Sequence, residues 1–402
     1  MNNNKLKIGV FGAWRGNSYV NHFRQDPRSE VVAVCDRNQK ALDGFKDIEG
    51  LILVKDFDTF VTEGKKAGMT AVFLANHFHQ HAPFAIKAME AGLDVVSECT
   101  AAGTLKECVE LVEAAERTGR KYILAENYPF STFNLELTRV VKGGTLGTLQ
   151  YAEGEYNHAV DAATKKHLAP SEFHWRNYIP RTYYVTHALG PIMYATDTMP
   201  QYVSARSVPS QICRDMEKGC WSRVADGTAM MFCEMDNGMI ARFTGCAAMG
   251  SDYSRYRICG DRGGVEAGHN IAGGNIRIFY HGFTRPENAV SNVITYNADL
   301  SAMGEKGKLA AKAGHGGGDY WIAQNAIECF LDDAKPCFDV YQAVAMSAVG
   351  ILGWRSCLNH GENFKIPDFR NKAERDAVRD DDLTPFPDAE GKGATLPCSL
   401  RG

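Results

Sequence analysis

Apolar residues follow two different rhythms along this chain. Up to about residue 127, short unbroken apolar runs alternate with stretches of helical spacing. The runs at Leu6 to Phe11, Val31 to Cys35, Ala71 to Leu74, Asp94 to Ser97 and Lys121 to Ala125 read as buried strands. Between the last two, Thr104 and Glu107 have capping-box spacing, and Leu105, Cys108, Val109 and Val112 recur on one helical face. Gly119 stops that helix, because a left-handed cap costs glycine little. Pro83 suits the first turn of another helix, and Gly92 its end. Strand alternating with helix predicts a doubly wound parallel sheet. Ligands of such sheets sit at the carboxyl ends of the strands. That makes Glu98-Cys99-Thr100 and Glu126-Asn127 site candidates.

After Asn127 the rhythm changes. Phe130 to Lys142 reads as a helix stopped by Gly143-Gly144. Alternating stretches follow at Leu149 to Tyr156, Tyr202 to Val208, Thr228 to Met235, Ile240 to Cys246, Tyr256 to Cys259 and Asn275 to Phe279. Met235-Asp236-Asn237-Gly238-Met239 is a hairpin turn, since Asn-Gly accepts positive φ. Gly314 to Gly318 reads as a mobile loop, and Asp319 to Asp332 and Val340 to Leu358 as closing helices. The polar tail from Asn359 is expected to lay Phe364 to Phe369 across the surface. The predicted fold class is α/β: a Rossmann domain over 1–128, then an α+β domain over 129–402 with a large, mostly antiparallel sheet.

Composition narrows the function. At 402 residues the chain is long enough for two sizeable cores. A net charge of -4 gives no reason to expect nucleic acid or an anionic membrane as partner, and no apolar run reaches membrane-spanning length. Met1 to Asn4 is polar and gives no export signal. The twelve cysteines are scattered without zinc spacing, which fits free thiols in a reducing cytoplasm.

Two local features suggest a nucleotide. The first strand runs into Gly12-Ala13-Trp14-Arg15-Gly16 and then a helix. A glycine turn there lets phosphate oxygens reach backbone amides, although Trp14 stands where a dinucleotide fingerprint has its second glycine. The second strand ends on Asp36, at the spacing where an acidic residue binds ribose hydroxyls. Asp36 favours NAD over NADP, and Arg37 weakens that preference. His77, His79 and His81 lie close together, but a loop before a helix gives no fixed ligand geometry, so no metal is assigned.

Together these pieces resemble the Gfo/Idh/MocA oxidoreductases over nearly the whole length. The supporting residues are the Gly12 turn, Asp36, His81-Ala82-Pro83, and Glu98 where the family has Glu-Lys-Pro. The chain is more specifically similar to the branch containing the family 109 glycoside hydrolases, known as N-acetylgalactosaminidases. Ala125-Glu126-Asn127, Glu153 to His158, Trp175-Arg176, Tyr184-Val185-Thr186-His187 and Gly314 to Asp319 carry that likeness. Two positions depart from the broad family: Cys99 replaces its catalytic lysine, and Tyr183 its aspartate. Many of those hydrolases also carry an export signal.

The resemblance implies NAD as cofactor, held by Gly12, Trp14, Arg15, Asp36, Arg37, Asn76, His79, His81, Glu98, Cys99, Asn127, Trp175 and Arg176. It implies a carbohydrate substrate, a hydride transferred at C3, and a homo-oligomer, dimer or tetramer. His187 is the candidate base, since imidazoles titrate near neutral pH; a core histidine satisfied by backbone is the alternative. Tyr156 is the candidate C2 base, with Tyr184 nearby. Glu126 or Glu155 is the candidate acid, and Arg176 a partner for developing negative charge. Strand alternation sends Glu155 and Tyr156 to opposite faces, which favours Tyr156 for the pocket. Cys99 is either a small filler or a nucleophilic thiolate. Three functions remain open: net sugar dehydrogenase, redox-neutral glycosidase that recycles NAD, and sugar-sensing regulator without chemistry.

Overall fold

The computed structural model describes residues 5–246, 248–300 and 303–400. The polar start Met1 to Asn4 and Ala247 lie outside the described residues. The chain forms two compact units. The first comprises Met1–Asn127 with two returning segments, Leu309–Val344 and Ala377–Asp380. Sequence pattern grouped both segments with the second domain. Their partners in the first unit lie hundreds of residues upstream, beyond the reach of periodicity.

In the first unit, β1 (Leu6–Phe11), β2 (Ser29–Cys35), β3 (Ile52–Val54), β4 (Ala71–Leu74), β5 (Asp94–Ser97) and β6 (Tyr122–Leu124) form one sheet. Its order is β3-β2-β1-β4-β5-β6, with every pairing parallel. This is the doubly wound arrangement expected, with the order reversing between β1 and β4. The strands read as unbroken apolar runs because both faces are covered. Thr104 caps the helix Leu105–Thr118 through the Glu107 amide, and Gly119 ends it at φ 64°.

The second unit holds a nine-stranded sheet. Its strands are β7 (Leu149–Asn157), β8 (Pro200–Pro209), β9 (Asp226–Met235), β10 (Ile240–Thr244), β11 (Tyr253–Gly260), β12 (Gly263–Ile271), β13 (Gly274–Tyr280), β14 (Val293–Tyr296) and β15 (Phe364–Lys365). The order is β14-β13-β12-β11-β7-β10-β9-β8-β15. All pairings are antiparallel except β7 with β10. The Asn237-Gly238 hairpin forms as expected, with Gly238 at φ 82°.

Four strands escaped the sequence pattern: β3 in the parallel sheet, three residues long, and three in the mixed sheet. β12 opens on two glycines, β14 is four residues long, and β15 only two. The tail expected on the surface instead adds β15 to the sheet edge beside β8 and buries Ile366 and Phe369. Gly314 to Gly318, expected as a loop, is a 3-10 turn (His315–Gly317) that leads directly into the helix Gly318–Asp332.

Candidate functional site

In the first unit, the carboxyl ends of the strands carry the predicted residues. Gly12 has φ 102°, and a Cβ there would lie 2.3 Å from the Ala75 carbonyl oxygen. Only glycine fits this turn, which opens the helix Ala13–Gln25. The Trp14 indole is 63% exposed, so it does not fill the turn it interrupts. Asp36 accepts the Ala13 and Asn38 amides, each at 2.8 Å. A carboxylate has about four lone-pair sites, so acceptor capacity remains. Arg37 is exposed beside it.

His81 is buried, and its ring faces two carbonyls, Thr100 at 2.8 Å and Asn76 at 3.3 Å. Burial pushes its pKa down to about 4, against the pull of those carbonyls, so the ring is neutral and donates one proton. The shorter contact marks Nδ1–H as the donor. His81 therefore ties the loop after β4 to the Cys99–Thr100 turn. His79 is likewise lowered to about 4, by burial and then by His77 and His81. The Cys99 thiol donates to Glu126 Oε2 at 3.1 Å, and Glu126 is fully buried. Where a lysine was absent, a thiol now orients the candidate acid.

Sequence reasoning missed Asp319. Its buried carboxylate accepts from Arg15 Nη1 and Nη2 at 3.1 and 3.0 Å, from Tyr19 at 3.2 Å and from Asn127 at 2.8 Å. His315 Nδ1 stands 3.1 Å away. Burial would raise this carboxyl, but hydrogen bonds and charge from His315 and Arg15 hold it well below the usual range. Arg15 also pairs with Glu98 at 2.7 Å. Three predicted cofactor residues, Arg15, Glu98 and Asn127, thus belong to one network. The quoted glycine motif ends on Asp319, which was the available signal.

The residues present fit a dinucleotide. The glycine turn admits close approach to the helix that follows, and Asp36, which accepts the first amide of that helix, stands at the next strand end with acceptor capacity to spare. The buried amide oxygens Asn76 Oδ1 and Asn127 Oδ1 have no hydrogen-bond partner among the described residues, as expected of groups that meet a ligand.

The second unit gathers the other candidates. Gly154 lets the helix Thr186–Thr196 lie directly on β7: a Cβ there would come 2.1 Å from the Ala188 carbonyl oxygen. That approach sets His187 beside Tyr156. The His187 ring stacks on Tyr128 at 4.3 Å and meets the edges of Tyr156 at 4.9 Å and Tyr184 at 5.1 Å. Tyr256 donates to the His187 carbonyl at 2.6 Å. Tyr128 was missed because it lies two residues past the Glu126 candidate, outside any helical or strand pattern. Burial, and then Cys246, Tyr184 and Tyr128, push the Tyr156 phenol far up, so it stands neutral. Glu155 points away, bonded to Arg242 at 2.7 Å and Tyr253 at 3.0 Å, as strand alternation predicted. Arg176 lies over the Trp175 ring at 4.4 Å, on a 3-10 turn, Trp175–Asn177. Among the described residues, no three His, Cys, Asp or Glu side chains group to hold a metal. No described helix is long and apolar enough to cross a membrane.

Comparison with known proteins agrees with this geometry. Residues 6–126 match the model of the oxidoreductase family with NAD-binding Rossmann fold. Residues 292–374 match the glycosyl hydrolase 109 C-terminal domain. A glycosyl hydrolase family 109 protein of Solibacter usitatus is 26% identical, over 91% of this chain and 89% of its own. An alpha-N-acetylgalactosaminidase of Shewanella oneidensis is 24% identical, over 92% of this chain and 86% of its own. Among solved structures, the WlbA dehydrogenase from Bordetella pertussis, in complex with NADH and UDP-GlcNAcA, superposes with TM-score 0.71 at 16% identity, covering 91% of this chain and 99% of its own. Residues 6–126 are therefore an NAD-binding Rossmann domain of the Gfo/Idh/MocA oxidoreductase type, and residues 292–374 are of the glycosyl hydrolase 109 C-terminal type.

Proposed function

We propose that this protein is an NAD-dependent enzyme of carbohydrates that begins by oxidising a ring hydroxyl, at C3 of a sugar or glycoside. The observation that carries this reading is the imidazole of His187 set among three phenols, Tyr128, Tyr156 and Tyr184. Flat aromatic faces suit the apolar face of a sugar ring, and the ring nitrogen offers a base for the hydroxyl proton. The glycine turn at Gly12, the helix behind it and Asp36 would hold the dinucleotide, whose nicotinamide supplies the hydride acceptor. His187 takes the hydroxyl proton as the C–H bond breaks. Arg176 is assigned to the negative charge that develops on substrate oxygen.

A second reading is favoured by the extra phenol at Tyr156 and by the names of the relatives. A ketone at C3 acidifies the C2 hydrogen. Its removal expels the C1 substituent, water adds across the new double bond, and reduction of the ketone restores the sugar. Tyr156 is the proposed C2 base, and Glu126, oriented by the Cys99 thiol, the proposed acid for the leaving oxygen.

The test is incubation with glycosides and NAD. Accumulating NADH supports a net dehydrogenase; aglycone release without net NADH supports the redox-neutral cycle. Ligand binding with neither product, and no exchange of C2 hydrogen with heavy water, would leave a sugar-sensing regulator and overturn both. The cytoplasm as location, and a homo-oligomer paired through the open face of the nine-stranded sheet, belong to this proposal.

A further inference from the structure

Asp319 does more than close a salt bridge. It lies in a segment that returns to the first unit from about 300 residues downstream, and its carboxylate is buried among donors from three separate places. Ser18 and Tyr19 belong to the helix after the glycine turn; Asn127 follows β6; His315 belongs to the returning turn itself. Arg15 extends the network. Its Nη1 and Nη2 go to Asp319, and its Nε goes to Glu98, whose own Oε2 accepts the Cys99 amide at 3.3 Å. One carboxylate thus braces the helix start after β1, the turn after β5 and the strand end of β6. These are the three places where an open parallel sheet presents its ligand. The Arg15 guanidinium is spent on Glu98, Ser18 and Asp319, so its work is mechanical: it transmits the position of Asp319 to the Glu98–Cys99 turn.

We propose that Asp319 is a positioning residue of the dinucleotide site, and that dinucleotide binding in turn holds the His315–Gly317 turn and the helix start behind it. The second half follows from the first. If the arrangement that Asp319 enforces is the one that binds, then binding stabilises that arrangement by the same free energy. This inference rests on the reading of the first unit as the NAD site.

The experiment is amide hydrogen exchange on the full chain, with NAD affinity measured in parallel by calorimetry. In the native protein, NAD at about 100 times its dissociation constant slows exchange across Gly317 to Tyr320 by roughly 100-fold, if opening of this turn abolishes binding. In Asp319→Asn, NAD binds at least about tenfold more weakly, which is one RT ln 10 step. The added protection at Gly317 to Tyr320 disappears, and Asp319→Glu restores part of it. Should Asp319→Asn fail to fold, Arg15→Gln breaks the link to Glu98 while leaving Asp319 its hydroxyl, amide and imidazole donors. Its NAD affinity is expected to fall in the same way. Unchanged NAD affinity in a folded variant overturns the proposal, as does NAD that protects Gly12 to Arg15 but leaves Gly317 to Tyr320 untouched. Native protein that binds no NAD removes both this inference and the reading it rests on. Native protein that binds NAD and oxidises no sugar removes only the proposed function.

Discussion

Burial acts on Tyr156 and Asp319 in the same sense, raising both, yet the two end in opposite states. Around Tyr156 the neighbours Cys246, Tyr184 and Tyr128 add to the effect, and the phenol stays neutral. Around Asp319 the donors of His315 and Arg15 outweigh it, and the carboxylate stays charged. Each state has a consequence. A neutral phenol is a base only in its minor, ionised fraction, so C2 exchange in heavy water should rise with pH across the neutral and mildly alkaline range. Tyr156→Phe should abolish that exchange and spare hydride transfer; loss of both would undo this division of roles. His187→Ala should slow hydride transfer by about 10²- to 10⁴-fold, read as NADH formation, and an unchanged rate would remove it from the mechanism. For Asp319 the sign is fixed by its depressed pKa. Its stabilisation is present above the ordinary value of 3.8 and is lost as pH falls below it. Asp319→Asn should therefore cost about 3–5 kcal/mol near neutrality, as breaking a buried pair does, and flatten the acid limb of urea denaturation curves. His187, Tyr156 and Tyr184 were legible because each sits in a short recognisable string. Asp319 was not, because its partner Tyr19 is 300 residues away and no local pattern reports such a contact.

Two helices each depend on one residue. The helix Thr186–Thr196 reaches β7 only because Gly154 has no Cβ. Gly154→Ala should push the helix outward, separating His187 from Tyr156, and lower turnover while leaving NAD affinity in the first unit unchanged. The helix Leu105–Thr118 begins behind the Cys99–Thr100 turn, and its Glu107 carboxylate accepts the Gly103 amide at 2.7 Å. Burial pushes Glu107 up to about 7, opposed by the hydrogen bonds from Gly103 and Thr104. A carboxyl raised in the folded state is protonated there after the unfolded chain has already released its proton. Stability should therefore fall as pH rises from the ordinary 4.5 towards about 7, and then level. Glu107→Gln should erase that slope in urea titrations; a variant that keeps it would assign the slope elsewhere. This helix was readable in full, cap, face and stop, because all its signals are local. β12 and β15 were not, since one opens on glycines and the other is two residues whose only reason to be extended is the edge of β8.

At the scale of the molecule, the parallel sheet was legible except for the three-residue edge strand β3, and the mixed sheet only in its longer, alternating strands. What sequence could not show is that the first unit is completed by Leu309–Val344 and Ala377–Asp380, after the second has largely been built. Contacts such as Lys121 with Asp333 and Arg379 with Glu113 close it. The dinucleotide site is therefore finished late in the chain, and truncation before residue 309 should cost NAD binding even though β1 to β6 remain. Calorimetric titration of the full-length protein with NAD, followed by addition of a glycoside and simultaneous reading of NADH absorbance and aglycone, tests the central claim most directly. The account predicts saturable NAD binding and then either NADH or aglycone, both abolished in His187→Ala. A protein that takes up no NAD, or that releases product equally well without His187, would contradict it.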